Sequence, residues 1–346
     1  MATQETQQLD AIIASRRALL MGGAALGAVA LTGVAKAAIP ATLGDTDILN
    51  FALNLEYLEA QFYTLATEGV YAEKSASGPV TGVTASTSAT VILKPATAAA
   101  TAAGQVIAPV PFTSPLIAAY AFETALEERR HVNFLRSALG AAGATIAAQP
   151  VLDLYNSFIT LGNALTPKIA NFDPFANDAF FLAGAYIFED VGVSAYHGGA
   201  PLLSASYLLP AAKIHAVEAY HAGLIRSTMS GFDNGYITIP GFTAAMLTAA
   251  TGYTSLTQLT QAISAVRATV DGTQGTSAVD DNGLGLKQVA LNTSSATFTS
   301  TSILNGDSNY LGRSRTPRQV LNVVYATPGA PTKGGFYPNG LSGTIN

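Results

Sequence analysis

Two pairs of metal-ligand residue types stand at the same spacing in this chain. Glu128 precedes His131 by three residues, and Glu218 precedes His221 by three. Residues three apart on an α-helix lie on the same face, so each pair presents a carboxylate and an imidazole in one direction. Two such Glu-x-x-His pairs, completed by one glutamate from each of two other helices, are a ligand set with which helical bundles hold two metal ions.

Glu56 and Glu189 could supply the carboxylates of the two other helices. Each stands on an apolar stripe at helical spacing, and each precedes a tyrosine by seven residues, Tyr63 and Tyr196. Two helical turns separate glutamate and tyrosine, so each tyrosine is predicted on the same side as its glutamate, as a hydrogen-bond partner of the ligands or a redox-active neighbour. Glu59, one turn after Glu56, could be a ligand, a hydrogen-bond partner of a ligand or a solvated residue.

Four helices must position these residues. The predicted ranges, from capping residues, prolines and glycines, are 45–68, 115–139, 178–196 and 210–229. Asp45 or Thr46 would cap the first helix, Ser114 the second, and Pro210 would open the fourth. The first and third helices share Glu-x6-Tyr, and the second and fourth share Glu-x2-His. The chain therefore indicates a two-fold repeat of a helical hairpin, with a long crossover over residues 140–177.

The second helix carries adjacent glutamates, and its spacing separates them. Glu127 falls with Arg130 on a solvated face, where the two can form an ion pair, whereas Glu128 falls in the apolar strip. Glu128 is therefore the predicted ligand. His197 and His215 lie outside the repeated pattern, and we expect a solvent or interface role for both.

Charge balance favours two divalent cations among these side chains. Four converging carboxylates could not all stay ionised in an apolar core, so some would be protonated without metal. The alternative, a bundle with surface Glu–His contacts, suits one pair alone but not six residues in mid-stripe and in matched order. Oxygen and imidazole donors suit iron, manganese or zinc, so we expect iron or manganese, with iron preferred and zinc an alternative.

Composition excludes several classes of function. Of the 346 residues, 49% are hydrophobic and only 11% are charged, well below the roughly 25% that is usual in soluble domains. The net charge is −5, and no basic run occurs beyond the N-terminus, which argues against a nucleic-acid partner. The absence of cysteine excludes disulfides, thiolate metal sites and cysteine nucleophiles.

Residues 1–37 have the pattern of a twin-arginine-type signal peptide. Arg16 and Arg17 precede an apolar run to Ala35, and Ala35-Lys36-Ala37 fits a cleavage site. The alternative, a transmembrane anchor, is disfavoured by the glycine content of the run and by the cleavage motif. The sequence predicts export to the periplasm or cell surface, with no membrane span after residue 37.

Two stretches depart from the helical pattern. Residues 70–113 are rich in Ala, Thr, Ser, Val and Pro and are predicted as an insertion between the first two helices, with a short strand near Val91. Residues 233–346 are predicted as an irregular extension that packs on a bundle formed by 38–232. Helices are predicted within this extension at 255–269 and 317–324, and a shorter one in the crossover at 151–161.

The chain resembles the ferritin-like family that includes exported bacterial proteins and plant desiccation-related proteins. The stretches that carry the resemblance are residues 48–59, 128–136, 189–201, 314–317 and 319–322. The resemblance covers most of the chain after residue 37 and implies an all-α, ferritin-like four-helix bundle. It implies no settled reaction. The insertion and the C-terminal extension argue against a hollow cage.

Two hypotheses about function follow. In the first, the protein is an exported di-metal protein that handles oxygen or peroxide, and its catalytic residues are unassigned. The predicted roles are bridging or chelation by Glu128 and Glu218, one metal each for His131 and His221, and terminal carboxylates from Glu56 and Glu189. In the second, it is a non-catalytic stress-protective or structural protein of the cell envelope. A homo-oligomer is compatible with either hypothesis.

Overall fold

The computed structural model describes residues 43–82, 91–272, 281–290, 297–306 and 310–346. The predicted signal peptide, residues 1–37, lies outside them. The elements in chain order are α1 (Asp45–Glu68), β1 (Val91–Ile92), α2 (Ala98–Ala102), α3 (Pro115–Ala141), β2 (Leu152–Asp153), α4 (Asn156–Ala164), α5 (Asp178–Gly199), α6 (Ala205–Asp233), α7 (Ala244–Thr251), α8 (Leu256–Asp271), β3 (Gly285–Ala290), β4 (Thr297–Ser302) and α9 (Pro317–Val324). In this part of the chain, no helix has the length and apolarity needed to cross a membrane.

The architecture is all-α, as the sequence predicts, with four long helices at its centre. α1 packs mainly against α3, and α5 against α6. The few strands form two small pairs, β1 parallel to β2 and β3 antiparallel to β4. Buried aromatic rings from separate parts of the chain pack against one another. Phe188 of α5 lies 5.1 Å from Phe62 of α1 and 4.9 Å from Phe336 of the C-terminal tail, measured between ring centroids.

Capping residues explain where the long helices begin. Ser114 accepts a hydrogen bond from the backbone N–H of Ile117, and Pro115 occupies the first helical position, as predicted. The predicted cap of α1 is wrong. Gly44 is the N-cap, and its N–H donates to the carboxylate of Asp47 at 2.9 Å.

The prediction that Pro210 opens the fourth helix is wrong. α6 begins at Ala205, and Pro210 lies inside it. The backbone N–H and the hydroxyl of Ser204 both donate to the carboxylate of Asp45, each at 2.7 Å. These bonds hold the start of α6 against the start of α1. A proline at the sixth helical position removes one backbone hydrogen bond, a loss that this longer helix tolerates.

Residues 77–82 of the predicted insertion lie against α3. Arg129 donates from Nε to the carbonyl of Gly78 at 2.9 Å, and Asn133 donates to the carbonyl of Pro79 at 3.0 Å. The predicted strand at Val91 is present and pairs with Leu152 of the crossover. The short helix α2 was not predicted, because it spans little more than one turn and shows no helical period.

A buried ion network joins the C-terminal region to the bundle. Asp190 of α5 lies 2.8 Å from Nη1 of Arg226 in α6 and 2.9 Å from Nη2 of Arg267 in α8. Asp281 lies 2.7 Å from Nε of Arg267 and 2.6 Å from Nη2 of Arg315.

The predicted helices at 255–269 and 317–324 correspond to α8 and α9, and the one at 151–161 to α4, shifted along the chain. α7 and the β3–β4 hairpin were not predicted.

We expect Arg315→Gln to destabilise the protein by about 3–5 kcal/mol, because it would leave buried carboxylates without a charged partner. Arg315 is 1% exposed and also donates to the carboxylate of Asp271 and to Ser194. Urea unfolding of the variant measures the change. Arg130→Gln, at an exposed position of α3, is the control and should alter stability by no more than about 0.5 kcal/mol. Equal effects of the two substitutions would contradict a stabilising role for the network.

Candidate metal centre

The structure brings the six predicted ligand side chains together between the four long helices. They form two groups within which potential ligand atoms lie no more than 4.8 Å apart. The first group is Glu56, Glu128, His131 and Glu218, and the second is Glu128, Glu189 and His221. Glu128 belongs to both groups. In the part of the chain that the structure describes, no other cluster of this kind is found.

Carboxylate oxygens from three helices surround His131 in the first group. Its Nδ1 lies 3.2 Å from Oε2 of Glu56, 3.4 Å from Oε2 of Glu128 and 3.6 Å from Oε1 of Glu218. The three glutamate side chains are fully buried, whereas the side chain of His131 is 12% exposed. His131 is therefore the member of this group that faces the surface.

The second group is centred on His221. Its Nδ1 lies 2.9 Å from Oε1 of Glu128 and 3.4 Å from Oε2 of Glu189. Glu128 thus offers Oε1 to the His221 group and Oε2 to the His131 group. One carboxylate with an oxygen in each of two neighbouring groups is the arrangement of a bridging ligand.

Buried donor and acceptor atoms at the centre lack hydrogen-bond partners. Eight such atoms belong to the six residues: Oε2 of Glu56, both oxygens of Glu128 and of Glu218, Oε2 of Glu189, and Nδ1 of His131 and of His221. Native proteins satisfy the great majority of their buried polar atoms, and each unsatisfied one costs about 1–3 kcal/mol. Eight that converge fit bound cations, because every one of them is an atom type that ligates iron, manganese or zinc.

Without a bound cation, several residues of the centre have raised pKa values and therefore retain protons. Burial raises the pKa of Glu56 from 4.5 to about 7, and it raises the pKa of Glu218 well above its usual value. Burial lowers the pKa of His131, but Glu56 and Glu128 outweigh that effect and raise it to about 11. Burial raises the pKa of Glu128, yet His131 and His221 outweigh it and lower the pKa overall. The buried carboxylates are thus compensated by protons, and they would be compensated by cations if metal were bound.

Two tyrosines hold the outer oxygens of two glutamates. Tyr63 of α1 donates to Oε1 of Glu189 in α5 at 2.5 Å, and Tyr196 of α5 donates to Oε1 of Glu56 in α1. Each tyrosine therefore bonds the glutamate of the opposite helix, because seven residues of helix place its own glutamate about 10 Å away along the axis. The bonds leave Oε2 of both glutamates directed at the two groups.

Glu59 and Gly192 complete the wall of the centre. Glu59 is 4% exposed, which excludes the solvated alternative, and it belongs to neither ligand group. A Cβ atom at Gly192 would lie 2.2 Å from Oε2 of Glu218 and 3.4 Å from Oε1 of Glu59. Both carboxylates thus lie against the backbone of α5, and glycine leaves room for them.

Glu127 was placed wrongly by sequence reasoning. It was expected to pair with Arg130 on a solvated face, but its Oε2 lies 2.7 Å from Nε2 of His221, on the far side of the ring from Glu128. Its side chain is 37% exposed, so part of it does face solvent. A second carboxylate next to a predicted ligand was the available signal. Carboxylates in this position fix the orientation and basicity of a ligating imidazole.

We expect Glu127→Gln to weaken metal binding at the His221 group by about 10–100-fold, because the imidazole loses its charged partner. Competition titration against a chelator measures the affinity. Glu123→Gln on the same helix is the matched control and should leave the affinity unchanged, since Glu123 is exposed and belongs to neither group. Equal affinities of the two variants would remove Glu127 from the site.

The two other histidines lie outside the centre. The ring centroids of His197 and His215 are 5.6 Å apart, and Nδ1 of His197 lies 3.1 Å from the carbonyl oxygen of Arg313. Both side chains are partly buried, and neither belongs to a ligand group. They provide natural controls for substitutions of His131 and His221.

Comparisons with known proteins agree with this geometry. A family described as the ferritin-like domain matches residues 44–231, a range that contains all six candidate ligands and Glu127. The desiccation-related protein PCC13-62 of Craterostigma plantagineum is 27% identical to this chain over 311 residues. The match covers 86% of the chain and 83% of the plant protein, so the similarity extends beyond the four long helices.

Proposed function

Because the chain belongs to the ferritin-like domain family, we propose that it holds a di-metal carboxylate centre of two divalent ions, iron or manganese. The observation that carries the proposal is the convergence of eight buried ligand-type atoms without hydrogen-bond partners. Family membership alone would not carry it, because a bundle can persist after its metal ligands are lost.

The residues divide between two metal positions. His131, Glu56 and Glu218 would hold one ion, His221 and Glu189 the other, and Glu128 would ligate both. The sequence predicted bridging or chelation by both Glu128 and Glu218. Glu218 belongs to the His131 group only, which supports Glu128 as the bridge and Glu218 as a ligand of one ion. Four carboxylates balance the charge of two divalent ions, which removes the need for buried protons.

A pair of iron or manganese ions, when bound, supplies one-electron chemistry toward dioxygen or peroxide. The chain contributes position and protection. Tyr63 and Tyr196 orient Glu189 and Glu56, and burial keeps bulk water from the carboxylates. Burial also raises the pKa of Glu59 well above its usual value, so its carboxyl keeps a proton beside the centre. Peroxide-consumption and iron(II)-oxidation assays on the loaded protein test for turnover.

Metal analysis tests the proposal directly. The protein and a His131→Ala/His221→Ala variant are loaded anaerobically with iron(II) or manganese(II), desalted and measured for metal per chain. We expect two ions in the unchanged protein and near-complete loss in the variant. His197→Ala/His215→Ala should retain both ions, because these histidines lie outside the ligand groups. Equal metal content in the two double variants would refute the site.

The stability of the metal-free protein should fall as the pH rises from 5.5 to 7.5. Glu56 has a pKa raised from 4.5 to about 7, and His131 has one raised from 6.5 to about 11, so the folded state holds protons that the unfolded state releases. The stability that Glu56 contributes is complete below pH 4.5 and lost through pH 7, and that of His131 begins to decline above pH 6.5.

Metal ions replace these protons, so the rise in Tm on adding manganese(II) should be larger at pH 7.5 than at pH 5.5. Thermal unfolding of the metal-free and loaded protein at both pH values measures the difference. A metal-free Tm that increases across this interval, or a metal effect that is the same at both pH values, would contradict the protonation scheme.

A second candidate function is stress protection without turnover. The similarity to a desiccation-related plant protein, over 86% of the chain, favours it. If the bundle protects by its surface, the His131→Ala/His221→Ala variant should preserve a drying-sensitive enzyme as well as the unchanged protein does. Protection that disappears with the metal would assign it to the centre.

Both candidate functions would operate outside the cytoplasm if residues 1–37 direct export. Replacing Arg16 and Arg17 with lysine should retain a fused reporter inside the cell, because export by this route depends on the paired arginines. Unchanged secretion of the reporter would remove the basis for an extracytoplasmic role.

A further inference from the structure

A surface cavity adjoins the centre between α3 and α6. Its volume is about 320 Å³, and its lining residues are His131, Phe134, Leu209, Pro210, Lys213, Ile214 and Val217. This volume is at the lower end of the range of small-molecule sites, about 300–1,000 Å³. His131, the most exposed of the six candidate ligands, forms part of its wall.

The lining is apolar around one cation. Apart from His131, Lys213 is the only charged residue that borders the cavity. It is exposed and forms no salt bridge with any residue that the structure describes. Phe134 is 45% exposed and Leu209 is 63% exposed, so the cavity presents apolar surface to water. An apolar wall without a carboxylate at its mouth fits an organic anion better than a metal ion.

A second, inner cavity adjoins the first and is lined mainly by buried residues. Its volume is about 130 Å³, and Phe134, Pro210 and Ile214 line both cavities. Its remaining wall is largely apolar and includes Ala138 and Tyr196, the tyrosine that donates to Glu56. The two cavities therefore adjoin at Phe134, Pro210 and Ile214, with a cation at the outer one and largely apolar walls at the inner one.

We propose that these cavities bind an aliphatic carboxylate of medium chain length. The carboxylate pairs with Lys213, and the hydrocarbon tail of the ligand passes Phe134 and Ile214 into the inner cavity. This binding needs no metal, since His131 is the only proposed metal ligand that lines either cavity.

The chain-length dependence of binding is the first test. Isothermal titration of hexanoate, octanoate and decanoate into the metal-free and manganese-loaded full chain measures Kd. Each added methylene that enters an apolar cavity should strengthen binding by about fourfold. Decanol tests the apolar part alone. Affinity that does not rise with chain length would overturn the proposal.

Two substitutions test the recognition of the carboxylate and of the hydrocarbon tail separately. Lys213→Met keeps an apolar side chain and should weaken decanoate by about fivefold while leaving decanol unchanged. Lys168→Met, at an exposed lysine that lines neither cavity, should leave decanoate unchanged. Ala138→Leu fills the inner cavity and should weaken decanoate by about tenfold or more, and hexanoate less. Equal effects of the two lysine variants would overturn the head-group assignment.

Metal content and association state, measured on the same preparations, distinguish the outcomes. Normal metal with no decanoate binding would overturn this proposal and leave the di-metal centre intact. Decanoate binding in a protein that takes up no metal would support this proposal and overturn the di-metal centre. A dimer that Leu209→Glu dissociates, together with absent decanoate binding, would assign the exposed apolar surface to self-association and overturn the proposal.

Discussion

Glu128→Gln is expected to remove both metal ions, with a loss of affinity of more than about 100-fold for each. Glu128 is the one side chain whose two oxygens belong to different ligand groups, at 2.9 Å from Nδ1 of His221 and 3.4 Å from Nδ1 of His131. Glutamine preserves the shape but replaces one ligand oxygen with an NH₂ group and removes the negative charge. Elemental analysis after anaerobic loading gives the metal content per chain.

His131→Ala is the informative comparison for Glu128→Gln. It removes a residue of one group only, so it should leave about one ion per chain, whereas the glutamine variant should leave neither. Glu123→Gln on the same helix should keep both ions. If Glu128→Gln also keeps one ion, the carboxylate is a terminal ligand and the two positions are filled independently.

Gly192→Ala should disable the His131 group without unfolding the protein. The new Cβ would lie 2.2 Å from Oε2 of Glu218, so the carboxylate must move, while the helical backbone of α5 accepts alanine readily. We expect metal affinity at this group to fall by at least about tenfold. The metal-free variant should be as stable as the unchanged protein or more stable, by up to about 1 kcal/mol.

Gly223→Ala provides the matched control for Gly192→Ala. Gly223 also lies within a long helix, but an added Cβ there would meet no atom within 4 Å. This variant should gain helix stability and keep its metal affinity. Loss of metal from both variants would mean that any helical glycine substitution disturbs the bundle. Retention by both would mean that Glu218 is dispensable.

The six candidate ligands were predictable because the face of a helix is a local property. Glu128 and His131 share a face wherever their helix lies, and the repeated spacing at Glu218 and His221 indicates a second helix with the same task. The start of α3 was predictable for the same reason, because Ser114 and Pro115 define it through atoms within a few residues.

Contacts between helices were not predictable at this level. Whether Glu127 meets solvent or His221 depends on how far α6 has slid and rotated relative to α3, and no periodicity within one helix contains that information. The opposite-helix pairing of Tyr63 with Glu189 depends in the same way on the register of α1 and α5. Pro210 misled because a local start signal was outweighed by the anchoring of Ser204 on Asp45.

The C-terminal region shows the same limit for charged residues. Sequence analysis predicted two of its three described helices, and that the region packs on the bundle, but not the ion pairs that connect them. Asp281 and Arg315 stand 34 residues apart, and Arg226 lies in α6. Buried ion pairs of this kind form where several chain segments cross, and the sequence does not state which segments meet. The region has neither histidine nor glutamate, and none of its described residues belongs to a candidate ligand group.

The opposite-helix tyrosine bonds also determine when the centre can form during folding. Tyr63 and Glu189 are 126 residues apart, and Tyr196 and Glu56 are 140 apart. Contacts of such long range form only after the loop-closure entropy of the intervening chain is overcome. A nascent chain that ends before α5 contains Glu56 and Glu128 but lacks their partners in α5 and α6. Completion of the site is therefore a late event, and metal uptake by the proposed centre would report that both hairpins have docked.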